Sequence, residues 1–440
     1  MDILVIGFAL FAMFFGAGNL IFPPMLGYIY GDKWFLASIA FTIVGVGLTL
    51  IAVISMAKRK GNIFTFTSLA GEKLSKTIIL IIALCIGPLG AIPRTAATSF
   101  EMVESAGFNI NILIFTLIFF GFSLFLSLAK NSVVDLIGKF LTPLLLMSLF
   151  IMIIVGIINP IGETKEINLG LNRIFSDSML EGYNTMDALA ALAFTPIIVE
   201  SIVKKGHKKQ LLKKTIQASL IAVIGLAFVY ISLTFLGSSV SKSIDTESRV
   251  QLLNFISEEI LGNEGKFVLL IAIIMACFTT SVGLISSISN IFVEFSKNKF
   301  NYKITAFTIA AVSLLLSILG VESIVKLTGP FLQFVYPLAI LLVLFNLIGK
   351  DILDKLIIRN SFFIVSLVSL IDAIINMMDV LFEMFMIKSK FLMNVEEILK
   401  KIIEIISLNI VDFPWIFPLI LTIILTGLYI KLNRNKKHSN

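Results

Sequence analysis

A chain of 440 residues that is 58% hydrophobic and 14% charged, with 39 Phe and a mean hydropathy of +1.00, cannot cover a soluble core with polar surface. Its formal net charge of +7 sits in short clusters between long apolar runs, which fits loops facing anionic lipid and excludes a nucleic-acid surface. Cys85 and Cys277 both fall inside apolar runs, so they read as small packing residues and not as a disulfide framework.

About 20 apolar residues span a bilayer, and such runs recur at approximately 3–30, 34–57, 77–100, 110–129, 138–159, 180–200, 215–237, 267–293, 304–320, 327–349, 361–385 and 414–432. The chain therefore reads as an all-α integral membrane protein with about 12 transmembrane helices. The first run lacks a basic leader and a small-residue cleavage site, so it is a span and not a signal peptide.

That first run is interrupted at Phe14-Phe15-Gly16-Ala17-Gly18-Asn19-Leu20-Ile21-Phe22-Pro23-Pro24. An unpaired backbone group costs several kcal/mol in hydrocarbon, so a break at membrane depth survives where it lines a cavity or coordinates a solute. Carbonyls ending the first half-helix suit a cation, and amides opening the second suit a carboxylate. The third span carries Gly87, Pro88, Gly90, Pro93 and then Arg94, with Glu101 two turns further on. A charge at that depth costs about 2.5–3.5 kcal/mol on insertion scales. Arg94 either contacts substrate or gate, or snorkels outward, or pins loops through Glu101.

A second interruption opens the sixth span, Glu181-Gly182-Tyr183-Asn184-Thr185-Met186-Asp187. Breaks five spans apart are the trace of two inverted five-helix repeats, here residues 1–160 and 161–350, with 351–440 adding two C-terminal helices, an amphipathic segment and a tail. Asp187 has two open roles, a structural partner or a gating, proton-linked or ammonium-binding group. The eighth span holds Ala276, Phe278, Thr279 and Thr280. Both threonine hydroxyls lie one turn after the Ala276 carbonyl. With carbonyls of Ala12 and Phe15 from the broken first span they would form a five-oxygen cage for a small hard cation. Back-bonding to the preceding turn, or helix–helix glue, is the alternative for each hydroxyl. Segment 386–412 mixes Lys and Glu with apolar residues and reads as an amphipathic helix, either on the outer membrane surface or packed on the protein itself.

Basic residues test the count independently. With an inside N-terminus, 23 of the 35 Lys and Arg fall in alternate loops and the C-terminal tail, 11 in the opposite loops and one, Arg94, in a span. The positive-inside rule is satisfied, with both termini cytoplasmic. The Ile-, Phe-, Lys- and Asn-rich, Arg-poor usage suits an AT-rich bacterial genome and thus a bacterial plasma membrane.

The segments FALFAMFFGAGNLIFPPMLG, IGPLGAIPRTAATSFE, YNTMDALAALAF and ACFTTSVGL resemble the signatures of the bacterial branched-chain amino acid carriers of the LIV-II or BrnQ type, within the APC superfamily. The resemblance implies a leucine-transporter-like 5+5 inverted repeat with broken helices 1 and 6, and a sodium-coupled symporter for leucine, isoleucine and valine with Na+ as its coupling ion. It implies Gly16, Ala17 and Gly18 amides on the substrate carboxylate, Asn19 in a cation or carboxylate contact, and Ala276, Thr279 and Thr280 at the sodium. Ile21 and Phe22 stand where some sodium symporters carry an arginine, and Arg94 is the candidate to replace it. Asn184, Thr185, Met186 and Phe278 flank the breaks and are further candidates for the substrate pocket. A methylene is worth only about 1–3 kcal/mol in such a pocket, so the three substrates are not ranked.

Other classes fit less well. The only histidines, His207 and His438, sit in charged cytoplasmic segments, and no H-E-x-x-H or G-x-x-x-x-G-K-[ST] occurs, so an enzyme is not expected. A channel would line its pore with repeated polar rings, which these spans lack. A proton-coupled carrier or an exchanger of other small neutral amino acids, using Asp187 or Glu101, remains the alternative on the same architecture.

Overall fold

A computed structural model describes residues 2–129, 142–349, 354–385, 390–407 and 413–438. Among them every regular element is a helix. Eight helices are long and apolar enough to cross a membrane, and shorter apolar helices cover Ile3–Phe14, Ile112–Leu128, Leu149–Ile158 and Tyr302–Ser317. Together they account for all twelve expected spans, because the first and second expected runs share one long continuous stretch, Ala17–Lys58. The fifth span is described as Thr142–Ile158, and its expected start at 138–141 lies outside the described residues.

Among the described residues, three spans are broken. The first consists of Asp2–Phe14 and Ala17–Tyr30, the third of Glu72–Ile86 and Ala91–Ser105, and the sixth of Leu171–Asn184 and Asp187–Lys204. The second span changes pitch in its middle, with a π-helical stretch at Ile43–Leu48 between Trp34–Thr42 and Thr49–Lys58. Such stretches cluster at functional sites. The helix Arg249–Phe295 bends at Gly262, whose φ is 65°, so the stretch before the eighth span is itself largely helical.

Two compact units emerge, residues 1–61 with 83–325, and residues 62–82 with 326–440. In the first, the seventh span, Leu211–Ser239, runs along both halves of the first span. A Cβ on Gly27 would lie 1.8 Å from the Thr234 carbonyl oxygen, and one on Gly237 would lie 1.9 Å from that of Pro24. Only glycine permits this backbone-on-backbone crossing, the small-residue contact that membrane helices use in place of a hydrophobic driving force.

In the second unit, Asn62 caps the short helix Ile63–Thr67 by accepting from the Thr65 amide at 2.8 Å. Asn346 Nδ2 donates to the Phe66 carbonyl at 2.9 Å. The expected amphipathic segment forms the helix Lys390–Ser407, which packs against Lys355–Phe385 and Ile416–His438. Lys400 pairs with Glu396 and, at 3.3 Å, with Asp379. Residues 386–389 and 408–412 of the expected segment lie outside the described residues.

Candidate functional site

The first half of the first span closes with the Phe15 amide donating to Phe11 at 2.7 Å and the Gly16 amide to Phe14 at 2.8 Å. Gly16 is extended and caps the second half. The amides of Ala17, Gly18 and Asn19 therefore open a helix and have no acceptor within it. A Cβ at Gly16 would lie 2.9 Å from Thr280 Oγ1, so the eighth span rests directly on the break.

At that contact, oxygens converge. Thr279 Oγ1 donates to the Ala12 carbonyl at 3.1 Å and to the Ala276 carbonyl at 2.9 Å. Thr280 Oγ1 lies 3.1 Å from the Met13 carbonyl and 3.5 Å from that of Ala12. Ala12, Ala276, Thr279 and Thr280 come together, and the further first-span carbonyl that Thr280 reaches is that of Met13, where Phe15 was the candidate. The Phe15 ring stacks on Phe11, 5.2 Å between centroids.

The second convergence joins the first, sixth and seventh spans. Met186 turns left-handed at φ 63°, which starts the second half of the sixth span at Asp187. Asp187 Oδ2 accepts from Asn19 Nδ2 at 2.7 Å and from the Tyr230 hydroxyl at 2.5 Å, and Asn19 and Tyr230 also contact each other. All three are buried. Tyr230 was not singled out in the sequence. Its signal was a hydroxyl in the middle of an apolar helix, where a buried donor needs a partner. The π-helical stretch of the second span faces this triad, since a Cβ at Gly45 would stand 3.2 Å from the Tyr230 ring.

Arg94 enters from the break in the third span and is 3% exposed. Its Nη1 donates to the Asn184 carbonyl at 2.6 Å and its Nη2 to that of Thr185 at 3.4 Å, where the first half of the sixth span ends. Nη2 lies 2.8 Å from where a Gly18 Cβ would be, and the guanidinium covers the Phe22 ring at 5.2 Å. Arg94 thus neither snorkels nor meets Glu101. Glu101 Oε1 instead accepts from the Val321 amide at 2.8 Å and caps the start of Val321–Ile348. A second cation, Arg249, covers the same Phe22 ring at 5.2 Å and pairs with Glu322 and, at 3.0 Å, with Glu181. Glu181 also accepts from Asn184 Nδ2 at 2.8 Å. Ala17, Thr185 and Met186 are buried at the breaks, whereas half-buried Phe278 turns its ring edge-on to Phe119 at 5.9 Å.

Broken first and sixth spans whose ends meet around buried charges are an arrangement of membrane transporters. The fold agrees: a nucleobase-cation-symport-1 family transporter with bromovinylhydantoin bound matches at TM-score 0.61 and 13% identity over 89% of this chain and 95% of that one. MhsT in complex with L-phenylalanine matches at TM-score 0.57 and 16% identity over 84% and 98%. The architecture is thereby leucine-transporter-like. Residues 1–433 match the family model for branched-chain amino acid transport proteins, and the chain belongs to that family. A relative from Staphylococcus haemolyticus that carries the name of a branched-chain amino acid carrier protein is 38% identical over 392 residues, 84% of this chain and 87% of the relative. The protein is a multi-pass membrane transporter of branched-chain amino acids and not an enzyme.

Proposed function

We propose that the protein is a sodium-coupled symporter that imports leucine, isoleucine and valine across the bacterial plasma membrane by alternating access, with both termini cytoplasmic. The two inverted repeats, 1–160 and 161–350, would rock about the breaks. The observation that carries the coupling is the cluster of Ala12 and Ala276 carbonyls with the Thr279 and Thr280 hydroxyls across two spans. These are neutral, hard oxygen donors, the chemistry a small monovalent cation takes. With the hydroxyl protons turned away from the carbonyls, the four oxygens would face one ion, and Met13 or Phe15 would supply a fifth. Because the same short backbone stretch holds the cation at its first half and the substrate at its second, filling one site orders the other.

A second reading, proton coupling, rests on one specific observation: the buried carboxylate of Asp187 between Asn19 and Tyr230. Threonine-to-valine substitution separates the two, since valine keeps the shape and removes the oxygen. Thr280→Val should raise the half-saturating sodium concentration at least about tenfold, roughly 1.4 kcal/mol, while leucine affinity at saturating sodium changes much less. Unchanged sodium dependence in Thr279→Val, Thr280→Val and the double variant would overturn the assignment.

A further inference from the structure

The eleventh span, Lys355–Phe385, carries two contrasting faces. Phe363, Leu367, Leu370 and Ile374 make an exposed apolar face. On the opposite face Ser369, Asp372, Asn376, Asp379 and Glu383 follow one another at steps of three and four residues, a polar line turned toward the other helices of the second unit. Near the helix end the line is matched: Glu383 takes Lys326 at 2.6 Å, and Asp379 takes Lys400 at 3.3 Å. Asp372 lies eleven residues in from Glu383, about 16 Å along the helix, and there the matching stops. Asn376 Nδ2 makes its shorter bond to the Asp372 carbonyl, at 2.9 Å, and reaches the carboxylate at 3.4 Å. Among the described residues no cation pairs with that carboxylate. Two further oxygens at this depth are orphaned. Ser369, one turn from Asp372 on the same face, is 1% exposed, and its hydroxyl has no partner. Gln333 Oε1 of the tenth span is buried and has none either. The Lys326–Glu383 pair sets the antiparallel register of the two spans, and Gln333 and Asn376 each stand seven residues, two turns, in from it, so they come level. Phe345 and Phe362 hold the same two helices together further along, ring edge to ring face at 5.9 Å.

We propose that Asp372, with the oxygens of Ser369, Asn376 and Gln333, is a sodium site of the second unit, built from residues other than those of the first and eighth spans. A carboxylate at membrane depth is costly unless a counter-charge meets it, and such groups mark ion pathways. Buried oxygens without donors carry a cost of their own. One small cation removes both costs, because it neutralises a single carboxylate and takes the lone pairs that hydrogen bonds leave unused. The donor set is one anion and three neutral oxygens, with no nitrogen or sulfur ligand. That set suits a hard monovalent cation; a divalent ion would leave a net positive charge in hydrocarbon. Asp379 and Glu383 extend the same face outward at one-turn intervals, so acidic oxygens line the way from the helix end to Asp372. The charged groups that meet this face are Lys400 and Glu396 of Lys390–Ser407 at Asp379, and Lys326 of the tenth span at Glu383.

The test is protection of Asp372 from dicyclohexylcarbodiimide in the full chain reconstituted in proteoliposomes, with sodium against choline at equal ionic strength. The apolar reagent adds a protonated carboxyl group across its C=N bond, and acyl transfer to nitrogen leaves a stable N-acylurea that peptide mass spectrometry locates. In choline Asp372 should be labelled, and saturating sodium should slow that labelling at least about tenfold. Ser369→Ala and Gln333→Leu should each raise the half-protecting sodium concentration about tenfold while labelling in choline persists. Equal labelling in sodium and choline overturns the site, and this result needs no variant to fold. Labelling that follows pH and ignores sodium makes Asp372 a proton group and overturns it as well. So does a wild type whose Asp372 stays unlabelled in choline, since its carboxylate is then already matched. Sodium protection unchanged in both variants overturns the donor set. The readout requires no transport: leucine uptake that ignores sodium contradicts the coupling proposal and leaves protection at Asp372 standing.

Discussion

At the residue scale, the sharpest demand falls on Gly18. A Cβ there would meet Arg94 Nη2 at 2.8 Å and the Phe22 ring at 2.9 Å. Both are side-chain atoms that can swing away, so substitution displaces the guanidinium and leaves the helix intact. Gly18→Leu should therefore abolish uptake while the protein still inserts and stays monodisperse in detergent. Full transport by that variant would remove the first-span break from the site. The contact of Thr279 with the Ala276 carbonyl was legible because helical spacing alone sets it one turn on, whereas the contacts to Ala12 and Met13 depend on how the first and eighth spans meet. Nor were the Asp187 partners legible. Asn19 and Asp187 are 168 residues apart, and Tyr230 lies 43 beyond Asp187. No local periodicity links positions so far apart, and Arg94 was assignable to a polar partner without the sequence saying which.

At the scale of elements, span number followed from run length and glycine–proline interruptions, because hydrocarbon permits few other arrangements of backbone. The π-helical turn at Ile43–Leu48 left no such signature. It packs closely, with Gly45 against the Tyr230 ring and Val44 against Gly182, where a Cβ would meet its side chain at 2.9 Å. The crossing of the first and seventh spans gives the strongest test at this scale. Gly237→Ala drives a methyl into the Pro24 carbonyl oxygen, 1.9 Å from its ideal position, and backbone cannot step aside as a side chain does. Overpacking of this kind costs about 1–3 kcal/mol or more. The variant should lower the detergent melting midpoint clearly, whereas Gly427→Ala, where a Cβ meets nothing within 4 Å, should leave it unchanged. Equal midpoints would mean the two spans do not cross as described.

For the whole molecule, hydropathy was enough to give the span count, since it depends on sums over many residues, and charge asymmetry sets the orientation proposed above. The coupling ion depends instead on a handful of oxygen atoms, so it is the claim most exposed to a single experiment. The direct measurement is uptake of labelled leucine into proteoliposomes under an inward sodium gradient, beside a choline gradient of equal strength and a proton gradient with sodium withheld. The account predicts accumulation above equilibrium with sodium alone and its loss in choline. Accumulation driven by protons with sodium withheld would contradict it.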